Sequence, residues 1–450
     1  MKEIQGDNVL IVGFGKEGKS VLRYLETNHP DVGISVSDRN PDSVTDPGRQ
    51  MFSGEDYLEN TQSFSTVVRS PGISKDVPEL QRAKHVTSAT NIFFAESKGV
   101  IIGVTGTKGK STTAALIHNI LESSGQDSRL VGNIGNPALD YLDGSDEKTI
   151  FVTELSSFQL DDCRYSAHIA AILPLRREHL DYHSDFKSYK EAKSNVAKHQ
   201  GENDIVIYNS ENTHSTEIAQ SGDGTKIPYP GSPQVSRSCW VDNEQIWTND
   251  NEGRVQMLMR IEEVPLQGKA NIENALLAVS VALSMNIDLD QIFHGIESFK
   301  PLEHRLEKVG TTNDITYYND SLATISEATM HALEALGERV ETLITGGLDR
   351  DGEYKELGKA IEGSGVSHLI LFPTTGERIK KAILAANPSC EIEFFETDNM
   401  VDAVRFASEN TSPGNICLMS PASASFNLFK NYAERGNAFK QAVVDIEKLS

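Results

Sequence analysis

Short apolar runs alternate with longer segments of helical periodicity along most of this chain. The runs end at turn residues and predict buried strands, while the periodic segments predict helices that cover them. This alternation is typical of parallel sheets with helices on both faces, so we expect an α/β protein. The predicted strands are Asn8–Gly13, Gly33–Ser37, Thr66–Arg69, Gly99–Thr105, Thr149–Glu154, Ile169–Pro174, Asn203–Asn209, Ile315–Asn319, Val340–Thr345, His368–Phe372 and Asn415–Ser420.

Helices are predicted where apolar side chains recur every three or four residues. These are a segment ending at Leu25, and Ser111–Ser124, Tyr189–Gln200, Asn271–Met285, Ser326–Leu336 and Asn431–Glu447. The stretch Ser221–Val235 is rich in Gly, Ser and Pro and is predicted to be a loop. A length of 450 residues predicts about three domains. We expect them at 1–92, 93–299 and 300–450, with a hinge near Pro301.

The clearest chemical motif is Gly106–Thr113, which follows a predicted strand directly and opens a predicted helix. Glycines let backbone N–H groups approach phosphate oxygens, and the helix N-terminus adds partial positive charge. Lys110 can reach the outer phosphates, and the hydroxyl of Ser111 or Thr112 can hold Mg²⁺. The common phosphate-loop pattern has glycine where this chain has Val104, so the match is imperfect. The context still predicts a site for ATP.

A second Gly-rich turn, Gly13–Gly18, follows the first predicted strand, and Asp38 and Arg39 follow the second. Such glycines permit a tight turn, and an acidic residue about 20 positions later can bond a ribose hydroxyl. The motif alone also fits a nicotinamide-dependent oxidoreductase or a nucleotide-type fold without a nucleotide. The oxidoreductase hypothesis leaves Gly106–Thr113 and Glu154 unexplained.

The amino-acid composition excludes several classes of binding partner and of bound metal. The net charge is −23 and no Lys/Arg-rich block occurs, which argues against nucleic-acid or anionic-membrane binding. The four cysteines are scattered without a CxxC pair, so neither a zinc site nor a disulfide framework is indicated. The N-terminus is too polar for a signal peptide, and no apolar run reaches ~18 residues. We therefore expect a cytoplasmic protein.

Three candidate sites for metal binding or catalysis follow the predicted phosphate loop in the chain. Glu154 ends a predicted buried strand, where a carboxylate can bind Mg²⁺, which prefers oxygen ligands. His179 and Asp181 form a His–x–Asp pair in which the acid can orient the imidazole or its water shell. Lys193 lies in a predicted helix, and its pattern alone indicates a solvated lysine.

Stretches distributed over nearly the whole chain resemble the Mur ligases of peptidoglycan synthesis, and within them the glutamate-adding branch. The final stretch is the most specific to that branch, and the family shares the irregularity at Val104. The matching stretches are GFGKEG, RSPGIS, GVTGTKGKSTT, GNIGNP, ELSSFQL, EHLDYH, YKEAK, NIENA, HR, NDS followed after one residue by ATISEAT, ITGG and SPASASFNLFKNYAERGNAFK.

The resemblance implies three domains, each with a mainly parallel sheet. They are a Rossmann-like N-terminal domain for a UDP-sugar, a central phosphate-loop ATPase domain, and a Rossmann-like C-terminal domain that brings the amino acid. The implied substrates are ATP, UDP-N-acetylmuramoyl-L-alanine and glutamate, joined through an acyl phosphate. The resemblance also implies a monomer that uses two Mg²⁺ ions and has no nucleic-acid or membrane partner.

The resemblance assigns roles to individual positions. Catalysis falls to Lys110, Glu154, His179 and Lys193, where Lys193 matches a lysine that the family carbamylates. Metal ligation falls to Ser111, Glu154, His179 and the carbamylated Lys193. The implied ATP contacts are Gly106, Thr107, Lys108, Gly109, Lys110, Ser111, Thr112, Asn271, Asn274, Arg305 and Asp320. The implied substrate contacts are Gly15, Lys16, Asp38, Arg39, Ser70, Asn133, Ser156, Gln159, Arg350, Ser425, Phe426 and Tyr432.

Two departures from the family pattern affect the amino-acid pocket. Leu322 stands where the family often has lysine after Asn-Asp-Ser, and Arg350 is the nearest cation to the usual lysine of the GGxxK loop. Arginine offers a fork of donors where lysine offers a point charge, so the ligand can sit differently. A ligase for L-glutamate and a non-catalytic Mur-like binding protein therefore remain as alternatives.

Overall fold

The computed structural model describes residues 3–41, 49–133, 136–176, 183, 185–266, 268–349 and 352–448. They divide into two compact units, 1–300 and 301–450. Among these residues, none of the helices has both the length and the apolar character required to cross a bilayer. Short 3₁₀ helices occur at Thr61–Ser63, Ala138–Tyr141, Ile261–Glu263 and Gly337–Arg339.

The first sheet is a five-stranded parallel sheet in the order β3-β2-β1-β4-β5. Its central strand has four consecutive buried residues, Val9–Val12, as expected for a strand covered on both faces. The strands are β1 Asn8–Val12, β2 Gly33–Asp38, β3 Met51–Ser53, β4 Thr66–Arg69 and β5 Val86–Ser88, and the helices are α1 Lys16–Asn28, α2 Pro78–Gln81 and α3 Ala89–Glu96.

The second sheet has six parallel strands in the order β11-β10-β9-β6-β8-β7. Its strands are β6 Val100–Thr105, β7 Ser128–Gly132, β8 Ile150–Glu154, β9 Ile169–Ile172, β10 Ile205–Asn209 and β11 Thr225–Tyr229. Its helices are α4 Lys110–Ser123, α5 Ser157–Leu160, α6 Phe186–Ser194, α7 Thr213–Ala219, α8 Lys269–Ser284 and α9 Leu289–Glu297.

Two expectations for this region are wrong. The predicted loop Ser221–Val235 contains β11, which pairs in parallel with β10 and buries Ile227 and Tyr229, because an edge strand needs apolar residues on one face only. The predicted helix Tyr189–Gln200 is displaced towards the N-terminus, since Asp185 caps α6 by accepting a hydrogen bond from the Ser188 N–H.

A small antiparallel sheet, in the order β12-β13-β14, was not predicted. Its strands are β12 Ser238–Asp242, β13 Gln245–Asn249 and β14 Val255–Arg260. Trp240 lies directly opposite Trp247 in the β12–β13 pair, and Trp247 lies opposite Met257 in the next. These three side chains therefore form a row across the sheet.

The second unit contains a six-stranded sheet in the order β15-β16-β20-β17-β18-β19. Only the β15–β16 pair is antiparallel, and the other pairs are parallel. The strands are β15 Glu307–Thr312, β16 Ile315–Asn319, β17 Val340–Gly346, β18 His368–Phe372, β19 Glu393–Glu396 and β20 Ile416–Met419, and the helices are α10 Ser326–Leu336, α11 Lys355–Glu362, α12 Thr375–Ala386, α13 Met400–Asn410 and α14 Tyr432–Glu447. The expectation of mainly parallel sheets is confirmed.

The first two sheets share one hydrophobic core. Val9 and Ile11 of the first sheet belong to the same buried cluster as Leu155 and Phe151 beside the second. The ring of Phe151 contacts that of Phe93 edge-on at 5.1 Å between centroids. These two sheets of the first unit are therefore held together by apolar packing as well as by polar contacts.

Candidate active site

The phosphate loop connects the buried strand β6 to helix α4. Gly106 and Gly109 both have positive φ, and a Cβ at Gly106 would lie 2.5 Å from the Cβ of Leu173, so the turn requires glycine. Thr107 is held by its N–H, which donates to the Pro174 carbonyl. Lys110 donates to the carbonyls of Gly106 and Thr107, so its ammonium lies on the loop itself. The loop thus presents a lysine and a helix N-terminus together, as an anion site requires.

The start of helix α8 lies against this loop. A Cβ at Gly109 would lie 2.3 Å from Asn274 Oδ1, and Asn274 Nδ2 donates to Asn271 Oδ1. Asn274 is buried, and helices α4 and α8 pack together. The structure therefore brings both predicted asparagines to the phosphate loop. Lys108, Ser111 and Thr112 are partly buried at the same loop and helix start.

A buried carboxylate lies on the strand next to the loop. Glu154 is the last residue of β8 and pairs in register with Val104 of β6. Its Oε1 accepts a hydrogen bond from Asn133 Nδ2 at 2.9 Å, and the Asn133 N–H donates to the Glu154 carbonyl. Its Oε2 is buried and has no hydrogen-bond partner among the described residues. A buried, unsatisfied carboxylate oxygen is costly unless it binds a cation, so this atom fits a metal ligand.

Lys193 lies in the same group of strand ends. It is 1% exposed, and its ammonium donates to Thr105 Oγ1 at 3.2 Å. Thr105 in turn donates to the carbonyl of Leu155, the residue after Glu154. The ring of Tyr189 lies 5.0 Å from the Lys193 Nζ. The sequence pattern indicated a solvated lysine, and that interpretation is wrong because Lys193 lies with Tyr189 and Ala192 on the buried face of α6.

Two predicted site residues, His179 and Arg350, lie outside the described residues, as does Asp181. Among the described residues, no group of three or more His, Cys, Asp or Glu side chains is placed to hold a metal ion.

The glycine-rich turn after β1 opens on a cavity of about 380 Å³ in the first sheet's domain. Five predicted substrate residues line this cavity: Gly15, Lys16, Asp38, Arg39 and Ser70. The Asp38 carboxylate accepts hydrogen bonds from the N–H groups of Phe14 and Asn40, so it fixes the turn as well as lining the cavity. Arg39 is exposed and forms an ion pair with Glu55.

Helix α5 carries two more predicted residues towards this cavity. Ser156 and Gln159 form a reciprocal capping box, in which the Gln159 N–H donates to Ser156 Oγ and the Ser156 N–H donates to Gln159 Oε1. Gln159 Nε2 donates to Glu17 Oε1 at 2.8 Å. Glu17 lines the cavity, and burial raises the pKa of its carboxyl above the usual value. The capping box therefore connects the strand end at Glu154 to the cavity.

In the second unit, Asp320 follows β16 and is buried. Its Oδ1 accepts from the Leu306 N–H and its Oδ2 accepts from Ser420 Oγ at 2.7 Å. Burial raises the pKa of Asp320 to about 6, although the neighbouring charge of Arg305 acts in the opposite direction. Asp320 is thus both desolvated and firmly oriented.

The remaining predicted residues of this unit lie around the start of α14. Ser425 is buried, whereas Phe426 and Tyr432 are 57% and 42% exposed. Arg435, which sequence reasoning did not single out, is 1% exposed and donates to Ser321 Oγ, Ser321 O and Ser423 O. Burial lowers the pKa of Arg435 to about 10. Its position three residues after Tyr432 on a helix was the available signal.

A phosphate loop between a buried strand and a helix, with a buried carboxylate on the adjacent strand, is typical of nucleotide-dependent α/β enzymes. Family models match three segments of the chain: the Mur ligase MurD-like N-terminal domain at 7–90, the Mur ligase middle domain at 104–282, and the Mur ligase glutamate ligase domain at 304–423. The chain belongs to the Mur ligase family.

Curated relatives match over almost the full length. A UDP-N-acetylmuramoylalanine–D-glutamate ligase of Streptococcus agalactiae is 31% identical and covers 97% of this chain and 96% of that protein. The enzyme of the same name from Koribacter versatilis is 31% identical, with 98% of both chains covered. That from Clostridium tetani is 30% identical, with 98% and 97% covered. The resemblance inferred from the motifs is confirmed.

Solved structures support the fold. The MurF ligase of Acinetobacter baumannii has a TM-score of 0.59 at 14% identity, covering 98% of this chain and 93% of that chain. The UDP-N-acetylmuramate-alanine ligase of Thermotoga maritima has a TM-score of 0.56 at 15% identity, with 99% and 100% covered. A MurF ligase of Thermotoga maritima in complex with ADP has a TM-score of 0.56, also at 15% identity, with 99% and 96% covered.

Proposed function

We propose that this protein ligates D-glutamate to UDP-N-acetylmuramoyl-L-alanine at the expense of ATP, in the synthesis of peptidoglycan precursors. The observation that carries the proposal is identity of about 30% to D-glutamate ligases across nearly the whole of both chains. The phosphate loop with its adjacent buried carboxylate supports ATP as the source of activation.

The chemistry explains why ATP is needed. A carboxylate at neutral pH is a poor acyl donor, because it would have to expel an oxide. Transfer of the γ-phosphoryl group to an alanyl carboxylate oxygen releases ADP and leaves an acyl phosphate. The amino group of glutamate then attacks the acyl carbon, the C–O bond to phosphate breaks, and the nitrogen loses a proton. The products are the amide, ADP and phosphate.

We assign the triphosphate to the loop at Gly106–Thr112 and the adenine side to Asn271 and Asn274. The donors of the loop and the Lys110 ammonium would hold phosphate oxygens and balance the charge that moves during transfer. The contact between Gly109 and Asn274 supports this assignment, because it ties the adenine side to the loop. From the family pattern we add Arg305 and Asp320 of the second unit to the ATP contacts.

The unsatisfied Oε2 of Glu154 supports a Mg²⁺ site at the end of β8. We propose that Glu154 and Ser111 hold one ion, with His179 assigned to the second from the family pattern. When bound, Mg²⁺ neutralises the charge on the phosphate oxygens of ATP. Asn133 would keep Glu154 in place by donating to its other oxygen.

We propose that Lys193 is carbamylated and that the carbamate adds an oxygen ligand to the metal site. Lysine is rarely fully buried, so its 1% exposure beside the end of β6 supports a specific role for this amine. Lys193→Ala is expected to abolish turnover. Partial rescue by a short-chain carboxylate, together with no rescue by bicarbonate, would agree with the carbamate role. Full activity of the untreated variant would exclude Lys193 from the site.

We assign the UDP end of the acceptor to the cavity lined by Gly15, Lys16, Asp38, Arg39 and Ser70, and we take 1–92, 93–299 and 300–450 as the domains. Asn133, Ser156 and Gln159 would contact the acceptor closer to its reacting end. The hydrogen bonds from Asn133 to Glu154 and from Gln159 to Glu17 support this placement, because they connect the strand end with the cavity.

For the incoming amino acid we assign Ser425, Phe426, Tyr432 and Arg350. The rings of Phe426 and Tyr432 are exposed close to the start of α14, so a ligand can reach them there. Leu322 cannot supply the charge that lysine gives other family members, so the glutamate carboxylates must be held by other cations. The names of the relatives favour D-glutamate over L-glutamate.

The decisive experiment is an amino-acid panel. Purified protein is given ATP, Mg²⁺ and UDP-N-acetylmuramoyl-L-alanine with D-glutamate, L-glutamate or D-aspartate, and products are identified by mass. We expect one new amide, and phosphate release, with D-glutamate only. Product with L-glutamate alone would assign the protein to the alternative branch. Absence of ADP with every amino acid would refute the ligase proposal. Lys110→Ala, which removes the loop ammonium, serves as the inactive control.

We also propose that the protein acts as a monomer in the cytoplasm, where its nucleotide-linked substrate would be made. Sedimentation velocity at assay concentration should give one species near the mass of the chain, 49.4 kDa. A dimer at that concentration would contradict the monomer proposal.

A further inference from the structure

Arg69 is a buried arginine at the end of β4, immediately before the segment 70–73 that lines the cavity. Its side chain is 0% exposed. Arg69 Nη2 lies 2.9 Å from Asp162 Oδ1, and Arg69 Nε donates to Asp162 Oδ2 at 3.1 Å. The two residues are 93 positions apart in the chain, and Asp162 lies just after α5. The pair therefore joins the first sheet to the segment that follows the capping box.

The same guanidinium holds the cavity wall. Arg69 Nη1 donates to the carbonyl of Pro71 at 3.2 Å and also to that of Ile73. Ser70, Pro71 and Ile73 all line the cavity, whereas Arg69 itself does not. Arginine suits this task, because its planar group directs several donors at once into fixed directions.

A second contact, between Gln159 and Glu17, also connects the capping box to the cavity. Gln159 bonds Glu17, which lines the cavity from the start of α1, and the charge of Arg69 acts to lower the pKa of Glu17 against the larger effect of burial. Arg69 therefore lies close enough to offset two acidic groups, Asp162 and Glu17. Without that offset, a diphosphate entering the cavity would meet a less compensated negative charge.

We propose that Arg69 is a positioning residue for the sugar nucleotide, which fixes the wall 70–73 of the cavity while Asp162 fixes Arg69. The proposal rests on the assignment of the cavity to the UDP end of the acceptor. Arg69 begins the matching stretch RSPGIS but has no role assigned above, and Asp162 lies outside the matching stretches. The proposal predicts that the pair acts on acceptor binding rather than on the ATP site.

A second ion pair between the two domains provides a control, because it distinguishes a role in positioning the cavity wall from a role in holding the domains together. Arg23 of α1 pairs with Asp140 at 2.7 Å, so it also joins the first sheet's domain to the second. Neither of these residues lines the cavity or bonds its wall. Asp140→Asn is thus a control for Asp162→Asn, since each variant removes one carboxylate charge from an arginine between the same domains, with Arg23 more exposed than Arg69.

The test compares the unaltered full-length protein with Asp162→Asn, Arg69→Lys and Asp140→Asn. The Michaelis constants for acceptor and for ATP are measured, with binding of UDP by calorimetry and hydrogen exchange of peptides covering 70–77. For Asp162→Asn and Arg69→Lys we expect the acceptor KM and the UDP dissociation constant to rise about tenfold or more, with the KM for ATP within about twofold. Exchange of 70–77 should accelerate in both. Asp140→Asn should leave these quantities unchanged.

Equal effects of Asp140→Asn and Asp162→Asn would overturn the proposal in favour of domain attachment alone. Unchanged UDP binding and exchange in both Asp162→Asn and Arg69→Lys would also overturn it. Failure of the unaltered protein to form the amide would count against the ligase function instead, and UDP binding and exchange would still decide the role of Arg69. Absence of UDP binding by the unaltered protein would refute the role of this cavity.

Discussion

Replacing Asp320 with asparagine should stabilise the second unit while removing activity. Burial raises the pKa of Asp320 to about 6 from an ordinary value of 3.8. The folded protein therefore holds the proton more tightly than the unfolded chain does. Stability contributed by the protonated acid is present at low pH and is lost as pH rises between those two values. Above pH 6 the folded state carries an ionised carboxylate in a poorly solvated site.

The size of the effect follows from the shift. A difference of about 2 pKa units at about 1.4 kcal/mol per unit gives a cost of about 3 kcal/mol at pH 8, and about half of that at pH 5. Asparagine removes the charge and keeps an oxygen for the Leu306 N–H. The hydroxyl of Ser420, which now donates to Asp320, can donate instead to Thr329 Oγ1 at 2.9 Å. The free energy of unfolding of Asp320→Asn should therefore rise by most of this amount.

Hydrogen exchange measures the effect locally. The ratio of exchange rates between variant and unaltered protein at one pH cancels the intrinsic chemistry, so peptides from β16 and β20 report the change in opening free energy. We expect exchange in Asp320→Asn to be slower than in the unaltered protein by about a hundredfold at pH 8 and by only about tenfold at pH 5. ATP-dependent ligation should fall below detection, since Asp320 is assigned to the ATP contacts.

Asp398→Asn is the control, because Asp398 is exposed in the same unit and its replacement should change exchange little at either pH. Faster exchange in Asp320→Asn at pH 8 would refute the reasoning, because the carboxylate would then be stabilising when ionised. A gain independent of pH would refute it too, since a buried acid must lose its penalty when protonated.

Three further predictions concern the phosphate loop and its neighbours. Glu154→Gln keeps an oxygen for Asn133 but removes the charge, so the Mg²⁺ concentration for half-maximal activity should rise at least about tenfold, and an unchanged requirement would exclude Glu154 as a ligand. Gly109→Ala places a Cβ 2.3 Å from Asn274 Oδ1 at positive φ, so ATP affinity should fall about tenfold or more, whereas Gly125→Ala, also at positive φ but in open space, should spare it. Asn133→Ala should lower kcat more than it changes the KM for ATP, because it releases Glu154 without touching the loop; an increase confined to the KM for ATP would contradict this role.

The sequence predicted the phosphate loop well because that motif is local. Strand, glycines, lysine and helix are consecutive, and β6 and α4 lie within one residue of their predicted bounds. The strand β11 was missed because its signal is weak. Thr225–Tyr229 contains a proline and follows a Gly-rich turn, and its pairing with β10 depends on a neighbour distant in the chain.

The burial of individual charged side chains could not be predicted from the sequence around them. Lys193 has the sequence environment of a surface lysine, but it lies on the buried face of α6 and is 1% exposed. Arg69 begins the matching stretch RSPGIS, but its pairing with Asp162 arises only where β4 and the segment after α5 meet. The positions in a local motif were accessible to reasoning from sequence, whereas the residues that orient them depend on contacts between remote segments.

The two tryptophans of this chain are Trp240 and Trp247, which face each other across β12 and β13. Intrinsic emission excited at long wavelength therefore originates in one small sheet of the first unit. A denaturation curve recorded by that emission would report unfolding around this sheet and would not report unfolding of 301–450. Circular dichroism, which sums over all helices, would register both, so disagreement between the two optical signals would reveal a partly folded intermediate.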